Sequence, residues 1–236
     1  MPRTAIWTSI SNTLTRDIAE GRYGPGDKLP TEAALSARFG VNRHTVRRAL
    51  AAMAQDGLVH ARRGAGVFVA QKPTEYPIGR RVRFHQNLAA AGRSPAKEVL
   101  MCETRAADAR ETEALVLAPA AQVHVYEGLS LADDMPVAVF RSVFPAERFP
   151  GLLTDLMDTK SVTAALKRHG INDYTRASTR LTAKQATATQ ALHLRIAEGA
   201  PILRSVGINI DETGTPIEYG HTWFAGDRVT LTLQDS

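Results

Sequence analysis

Between Leu29 and Val69 the residues prescribe a helix, a tight turn, a second helix with a cationic face and a glycine-tipped hairpin, in that order. No other feature constrains the fold as strongly. Thr31 is a good N-cap for a helix over Glu32 to Phe39, and Gly40 can take the left-handed conformation that ends it. Asn42 then caps a second helix. At about 100° per residue, Val46, Ala49, Leu50 and Met53 fall on one face of that helix and His44, Arg47, Arg48 and Ala51 on the opposite one. Two helices joined by so short a turn, the second basic and polar in its first turns, match the helix-turn-helix arrangement, whose second helix enters a DNA major groove. Leu58 to Arg62 and Gly66 to Ala70 are β-prone runs joined by Arg63-Gly64-Ala65, a hairpin whose glycines let backbone amides approach a phosphate while Arg62 and Arg63 add charge. A basic helix face alone is usually solvated surface; the ordered combination, ending in a wing, is what points to DNA.

Charge is distributed to match. Residues 1–72 hold 11 Lys/Arg against 5 Asp/Glu, net +6; totals of 29 and 24 leave 18 against 19, net −1, for the remainder. Phosphate contacts dominate nucleic-acid affinity, so a cationic end joined to a near-neutral body implies a DNA-facing module attached to something else. A length of 236 residues, 44% of them hydrophobic, accommodates two cores. The expected division is a DNA-binding domain over 1–72, a linker over 73–79, where two prolines and Gly79 interrupt any periodicity, and a second domain over 80–236. No apolar run of signal-peptide or bilayer-spanning length is present, so a cytoplasmic protein without a membrane partner is expected. Cys102 is the only cysteine, which removes an intramolecular disulfide and a thiolate zinc site from consideration and leaves a buried strand thiol as its plain reading.

Upstream, Ile6, Ile10, Leu14 and Ile18 recur every four residues and predict a first helix that ends near Gly21. Downstream the pattern mixes helices and strands. Helices are predicted over Phe84 to Gly92, Asp108 to Leu117, Ser161 to His169 and Ala186 to Leu192. Strands are predicted over Glu98 to Arg105, Val123 to Leu131, Met135 to Phe144, Ala177 to Leu181, Ile202 to Asp211, Pro216 to Phe224 and Arg228 to Leu233. Ala132-Asp133-Asp134 is turn chemistry, so the two aspartates read as hairpin residues, not catalytic acids. An antiparallel sheet with helices packed on it makes the second domain α+β.

Leu29-Pro30-Thr31-Glu32, the run from Arg38 to Leu50, Asp56-Gly57-Leu58 and the run from Arg62 to Val69 resemble the GntR-type winged helix-turn-helix family. Beyond the linker, Arg83 to Leu88 with Gly92 and Pro95, the Asp133 to Pro136 hairpin, Ser161 before a helix, Gly199 to Leu203 and Pro216 to Tyr219 resemble the effector-binding UTRA domain of the HutC subfamily, which has a chorismate lyase-like fold; Val41 to Thr45 and Arg83 to Leu88 are most similar to its phosphonate-utilisation branch. The resemblance implies a homodimeric repressor of double-stranded operator DNA, controlled by a small, anionic effector: a phosphonate or phosphorylated metabolite, with amino-sugar phosphates and imidazole acids as alternatives. Family DNA contacts fall on Arg43, His44, Thr45 and Arg47, with Arg63 and Gly64 in the wing; Asn42, Arg48 and Arg62 flank them, and Arg38 is a phosphate contact or a structural ion pair. Where many relatives carry an arginine after the glutamate of the first motif, this chain has Ala33.

Relatives hold anionic ligands with arginines on the strand before the hairpin, and Tyr126 to Leu131 contains none. The candidate effector contacts are therefore Arg83, His85, Asn87, Ser130, Arg141, Ser161 and Arg180, with Glu218, Tyr219 and Trp223 reading other parts of a ligand. Each has a plain alternative: Ser161 as a helix cap, Trp223 as core, Arg141 and Arg180 as solvated strand residues. Catalysis has little support, and no cofactor, metal or catalytic residue is expected. The seven histidines, at 44, 60, 85, 124, 169, 193 and 221, give no pair four apart, and neither a nucleophile elbow nor a phosphate-cradling loop is present. A non-specific architectural DNA protein would leave the second domain without a task.

Overall fold

A computed structural model describes residues 5–62, 64, 66–70, 73–81 and 83–233, and the chain divides into two units, residues 1–72 and 73–236. The first unit contains α1 (Ile6–Ala19), α2 (Glu32–Phe39), α3 (Arg43–Gln55) and the antiparallel pair β1 (Val59–Arg62) and β2 (Gly66–Val69). Both ends of α2 are chemically determined. The Thr31 hydroxyl accepts from the Ala34 amide at 3.2 Å, and Gly40 closes α2 with φ 64°, which costs a glycine nothing. Backbone bonds from Leu29 N to Val67 O (2.8 Å) and from Val69 N to Asp27 O (2.9 Å) occupy the other edge of β2 and anchor the hairpin. The core joins Ile10 and Leu14 of α1 to Leu35, Val46, Ala49, Leu50 and Met53, each large side chain worth about 1.5–3 kcal/mol when fully buried. Ile6, expected to share that stripe, is 63% exposed. A four-residue repeat advances about 40° per step on an α-helix and carries its outermost member off the buried face.

The second unit runs β3 (Thr74–Pro77), α4 (Phe84–Ala90), β4 (Pro95–Ala106), α5 (Ala109–Leu115), β5 (Gln122–Ala132), β6 (Met135–Pro145), α6 (Leu152–Thr159), α7 (Val162–Arg168), β7 (Thr175–Gln185), α8 (Ala188–Leu194), β8 (Pro201–Ile210), β9 (Pro216–Ala225) and β10 (Val229–Thr232). Six strands form an antiparallel sheet in the order β4-β5-β6-β9-β8-β7. Asp133 and Asp134 turn β5 into β6 with φ 49° and 61°, the positive pair that a two-residue hairpin needs. Cross-strand register separates the two faces of the sheet. Phe140, Thr222 and Ser205 form one transverse row and Ser142, Gly220, Gly207 and Thr179 the next but one; between them Arg141, His221, Val206 and Arg180 point the other way. The first face carries α6 and α7, through Tyr126, Phe140, Leu152, Leu156 and Leu166, and also meets Tyr76 and Leu88 around Phe224. On the second, α5 packs Leu115 against Val125 and Val143, and α8 packs Leu194 near Trp223.

Residues 73–79, expected as a linker, instead include β3, which pairs in parallel with β10. Thr74, Tyr76 and Ile78 are the buried members of the segment, and the amides of Thr74 and Ile78 donate to Arg228 O (2.8 Å) and Thr232 O (2.9 Å). A parallel ladder uses alternate residues, so Pro73 and Pro77 lie where no donor is required. The sequence reading did not anticipate α6 at all. Among the described residues, no helix is long and apolar enough to cross a membrane.

Candidate DNA-reading surface and effector hollow

The Asn42 side chain caps α3 by accepting from the Thr45 amide (2.9 Å) and the Thr45 hydroxyl (3.0 Å). Both residues thus fix the start of the helix in the free protein. Asn42, Arg43, His44, Arg47 and Arg48 are exposed together at this end. Among the described residues, Arg43 and His44 have neither hydrogen-bond nor ion-pair partner, and their side chains stand beside a helix N-terminus whose amides attract anions. Arg47 differs. Its Nε and Nη2 bind Glu32 side-on at 3.1 and 2.8 Å, and the pair holds the Glu32 carboxyl below its ordinary pKa. A guanidinium held along that edge keeps its Nη1/Nη2 end free for two parallel acceptors, the geometry of guanine O6 and N7. Arg48 lies over the Trp7 ring at 4.9 Å.

Arg38 is committed elsewhere: its Nη2 donates to Asp17 at 2.7 Å, and Asp17, only 1% exposed, also receives Arg22 at 3.0 Å. Of the two readings open for Arg38, the structure selects the structural ion pair. Gly64 stands exposed at the hairpin tip with φ 75°; Arg63 and the side chain of Arg62 lie outside the described residues.

In the second unit the ten expected effector contacts do not converge. Ser130 and Glu218 line a hollow of about 90 Å³ on the first face of the sheet, with Lys97, Ser142, Arg176 and Asn209 among its walls. Glu218 is buried and accepts from Ser142 Oγ (2.6 Å) and Asn209 Nδ2 (2.5 Å). Arg83, His85 and Ser161 line a second hollow of about 190 Å³ together with Thr163 and Lys167. Arg83 donates to Asp173 (2.7 Å) and Tyr174 O (3.2 Å), while its buried Nη1 has no partner among the described residues. Ser161 caps α7, its hydroxyl accepting from the Ala164 amide at 3.3 Å. Tyr174 lines the first hollow and bonds Thr163 of the second at 2.9 Å, so the two are neighbours. Burial, and then the charge of Lys97, lower the pKa of His85.

The other candidates fall elsewhere for a simple reason. Arg141, Arg180, Tyr219 and Trp223 belong to the opposite face of the sheet, because neighbouring strand residues alternate sides; Glu218 and Tyr219 cannot both face one hollow. Arg141 pairs there with Glu127, and Trp223 packs with the α8 cluster. Asn87 donates to Pro77 O at 3.0 Å and is a structural tie. Sequence reasoning missed Lys97 and Arg176. Their signal was a cation at an inward position of a strand, visible only once the register is known. Among the described residues, no group of His, Cys, Asp and Glu side chains could hold a metal ion.

Two family models match: bacterial regulatory proteins of the gntR family over residues 8–69, and the UTRA domain over residues 90–230. An uncharacterized HTH-type transcriptional regulator of Rhizobium meliloti is 38% identical over 98% of this chain and 95% of its own. The probable transcriptional regulator PhnF of Escherichia coli is 31% identical over 97% of this chain and 94% of its own. The crystal structure of PhnF from Mycobacterium smegmatis superposes with a TM-score of 0.66 at 26% identity, covering 96% of this chain and 99% of that one. With a capped, cationic reading helix in one unit and a charged hollow in the other, the chain belongs to the GntR family of bacterial regulatory proteins, a transcriptional regulator and not an enzyme, whose second unit is a UTRA domain.

Proposed function

We propose that the protein binds operator DNA as a homodimer through Arg43, His44 and Arg47 of α3 and the wing around Gly64, and that a small anionic effector in the second unit weakens that binding. The observation that carries the first half is the N-terminal turn of α3, locked by Asn42 while Arg43 and His44 stay exposed and without partners among the described residues. Two such helices on a dimer read half-sites about one helical turn apart, and a change in their spacing is enough to lose the operator. The effector acts as a coupling free energy: it binds one arrangement better than the other and shifts the population. Support for an anionic ligand comes from the cations on both hollows, Lys97 and Arg176 in one, Arg83 and Lys167 in the other. The resemblance of Val41 to Thr45 and Arg83 to Leu88 to the phosphonate-utilisation branch favours a phosphonate or a phosphate ester.

The experiment is selection of duplexes from a randomised library by the full chain, followed by gel-shift titration with and without methylphosphonate and glycerol 3-phosphate. A selected palindromic site whose complex dissociates with one of these anions supports the reading. Equal affinity for all duplexes refutes it.

A further inference from the structure

Lys97 is the least explained charge in the molecule. It stands on β4 opposite Ser130 of β5, on the face of the sheet that lines the smaller hollow. Its ammonium lies 4.1 Å from the centroid of the Phe140 ring, 5.6 Å from Tyr126 and 5.8 Å from Phe84, and among the described residues it forms neither hydrogen bond nor ion pair. Burial pushes its pKa down to about 8, against the opposing pull of Glu218. Three aromatic faces offset part of the cost of burying an ammonium, but no carboxylate or hydrogen-bond acceptor among the described residues completes its shell, which leaves its N–H donors for a ligand. The neighbouring strand β5 carries no arginine between Tyr126 and Leu131, so Lys97 brings to the hollow a charge that β5 does not.

We propose that Lys97 is the charge-reading residue of the effector site and that the group it receives is a phosphonate or phosphate monoester head, seated between Lys97 and Arg176. The inference rests on the reading of the second unit as the effector domain. The donors around the hollow set the class. Lys97 offers three N–H bonds, Arg176 a buried Nε without a partner among the described residues, and Ser130, Thr179, Ser205 and Thr222 four hydroxyls. That supply exceeds the four or so lone-pair sites of a carboxylate and suits the three oxygens of an RPO₃ group. A hollow of about 90 Å³ admits the acid head with the rest of the ligand directed outward. Glu218, held by Ser142 and Asn209, faces the same space and repels an anion, so the head is seated against Lys97 and Arg176 and not against that carboxylate.

Calorimetry on the full chain tests this with methylphosphonate, glycerol 3-phosphate, acetate and glycerol as probes. Both phosphorus acids are expected to bind and the other two not; whichever binds tighter identifies the source of the head group. Lys97→Met should weaken that binding at least about tenfold while the thermal midpoint of the free protein changes little, since relief from burying a charge offsets the lost cation–π contacts. Lys97→Arg should restore it. Phosphate monoesters lose their last proton near pH 6, so above pH 7 the ligand charge is constant and the remaining titration is that of Lys97. Wild-type affinity for glycerol 3-phosphate is expected to fall about tenfold from pH 7 to pH 9, and the Arg variant to show a flat profile. Undiminished affinity in Lys97→Met, or failure of both phosphorus acids to bind the wild type, overturns the inference. Binding that depends on Lys97 but leaves operator affinity unchanged would uphold the site and refute effector control instead.

Discussion

Replacing Arg43 by alanine should separate DNA recognition from folding more cleanly than any other single change. Arg43 is the first residue of α3, exposed and without an ion pair or hydrogen bond among the described residues. Its truncation removes no internal contact and introduces the best helix former, so stability should move by no more than about 0.5 kcal/mol. Recognition is another matter. A bidentate arginine–guanine contact discriminates by about 1–3 kcal/mol, and the proposed dimer on two half-sites would make it twice, so specific affinity should fall by about 2–6 kcal/mol, roughly 30-fold to 20,000-fold. Affinity for a scrambled duplex should fall far less, because one phosphate-range charge per protomer is lost. Fluorescence anisotropy at a single fixed salt concentration, with the selected and scrambled duplexes side by side, measures both. Arg38→Ala supplies the opposite case. It deprives Asp17, 1% exposed, of one of its two guanidinium partners, costing about 1.5–3 kcal/mol and lowering the thermal midpoint by several degrees while the specific-to-scrambled ratio holds. If Arg43→Ala leaves that ratio unchanged, α3 does not read the operator through its first turn.

Gly128→Ala should destabilise the second unit by at least about 2 kcal/mol in urea titration, because a Cβ there would stand 2.3 Å from the backbone oxygen of Glu98, which cannot give way without shifting β4. Glu218→Ala strands the Ser142 hydroxyl and the Asn209 amide, and a loss of about 1–3 kcal/mol for each buried group left unpaired should appear in the same assay, together with a blunted effector response. Ser161→Ala removes the cap of α7 and should cost about 0.5–2 kcal/mol while leaving operator affinity intact; lost operator binding would show that the two units do not divide their tasks as proposed. Burial tends to raise the Asp211 carboxyl, but the hydrogen bonds of Arg148 and Thr213 outweigh it and hold its pKa at about 2. With the folded value below the ordinary 3.8, its contribution is complete above that pH and is lost as pH falls toward 2, so Asp211→Asn should flatten the acid limb of the unfolding curve between those values. An unchanged acid limb would mean that other carboxylates govern it.

What was legible in the sequence was local. Thr31, Gly40, Asn42 and the Asp133-Asp134 turn act on backbone within a few residues, and the structure places each as its chemistry requires. Asp108 and Glu111 form the reciprocal cap of α5, an equally local signal that the sequence reading left unnamed. What escaped was set by distant partners. β3 is four residues long, bracketed by prolines, and exists because β10 lies alongside it; nothing near Thr74 announces that. Residue type alone nominates effector contacts on several strands without regard to the face each strand turns to the hollow. Half of the error was avoidable, since alternation already forbids Glu218 and Tyr219 a common hollow. The other half was not, because placing Lys97 among Phe140, Tyr126 and Phe84 requires knowing how β4 registers on β5 and where α4 packs.

The β3–β10 pairing has a practical consequence for anyone who excises the ligand-sensing half. A fragment begun at residue 80, or at the start of the UTRA match at residue 90, would strip β10 of its hydrogen-bonded neighbour and remove Tyr76 from its position 5.3 Å from Phe224. Such a truncated piece would bare an open strand edge and a greasy wound beside it, the recipe for clumping in the test tube. Cutting before Pro73 keeps the clasp closed.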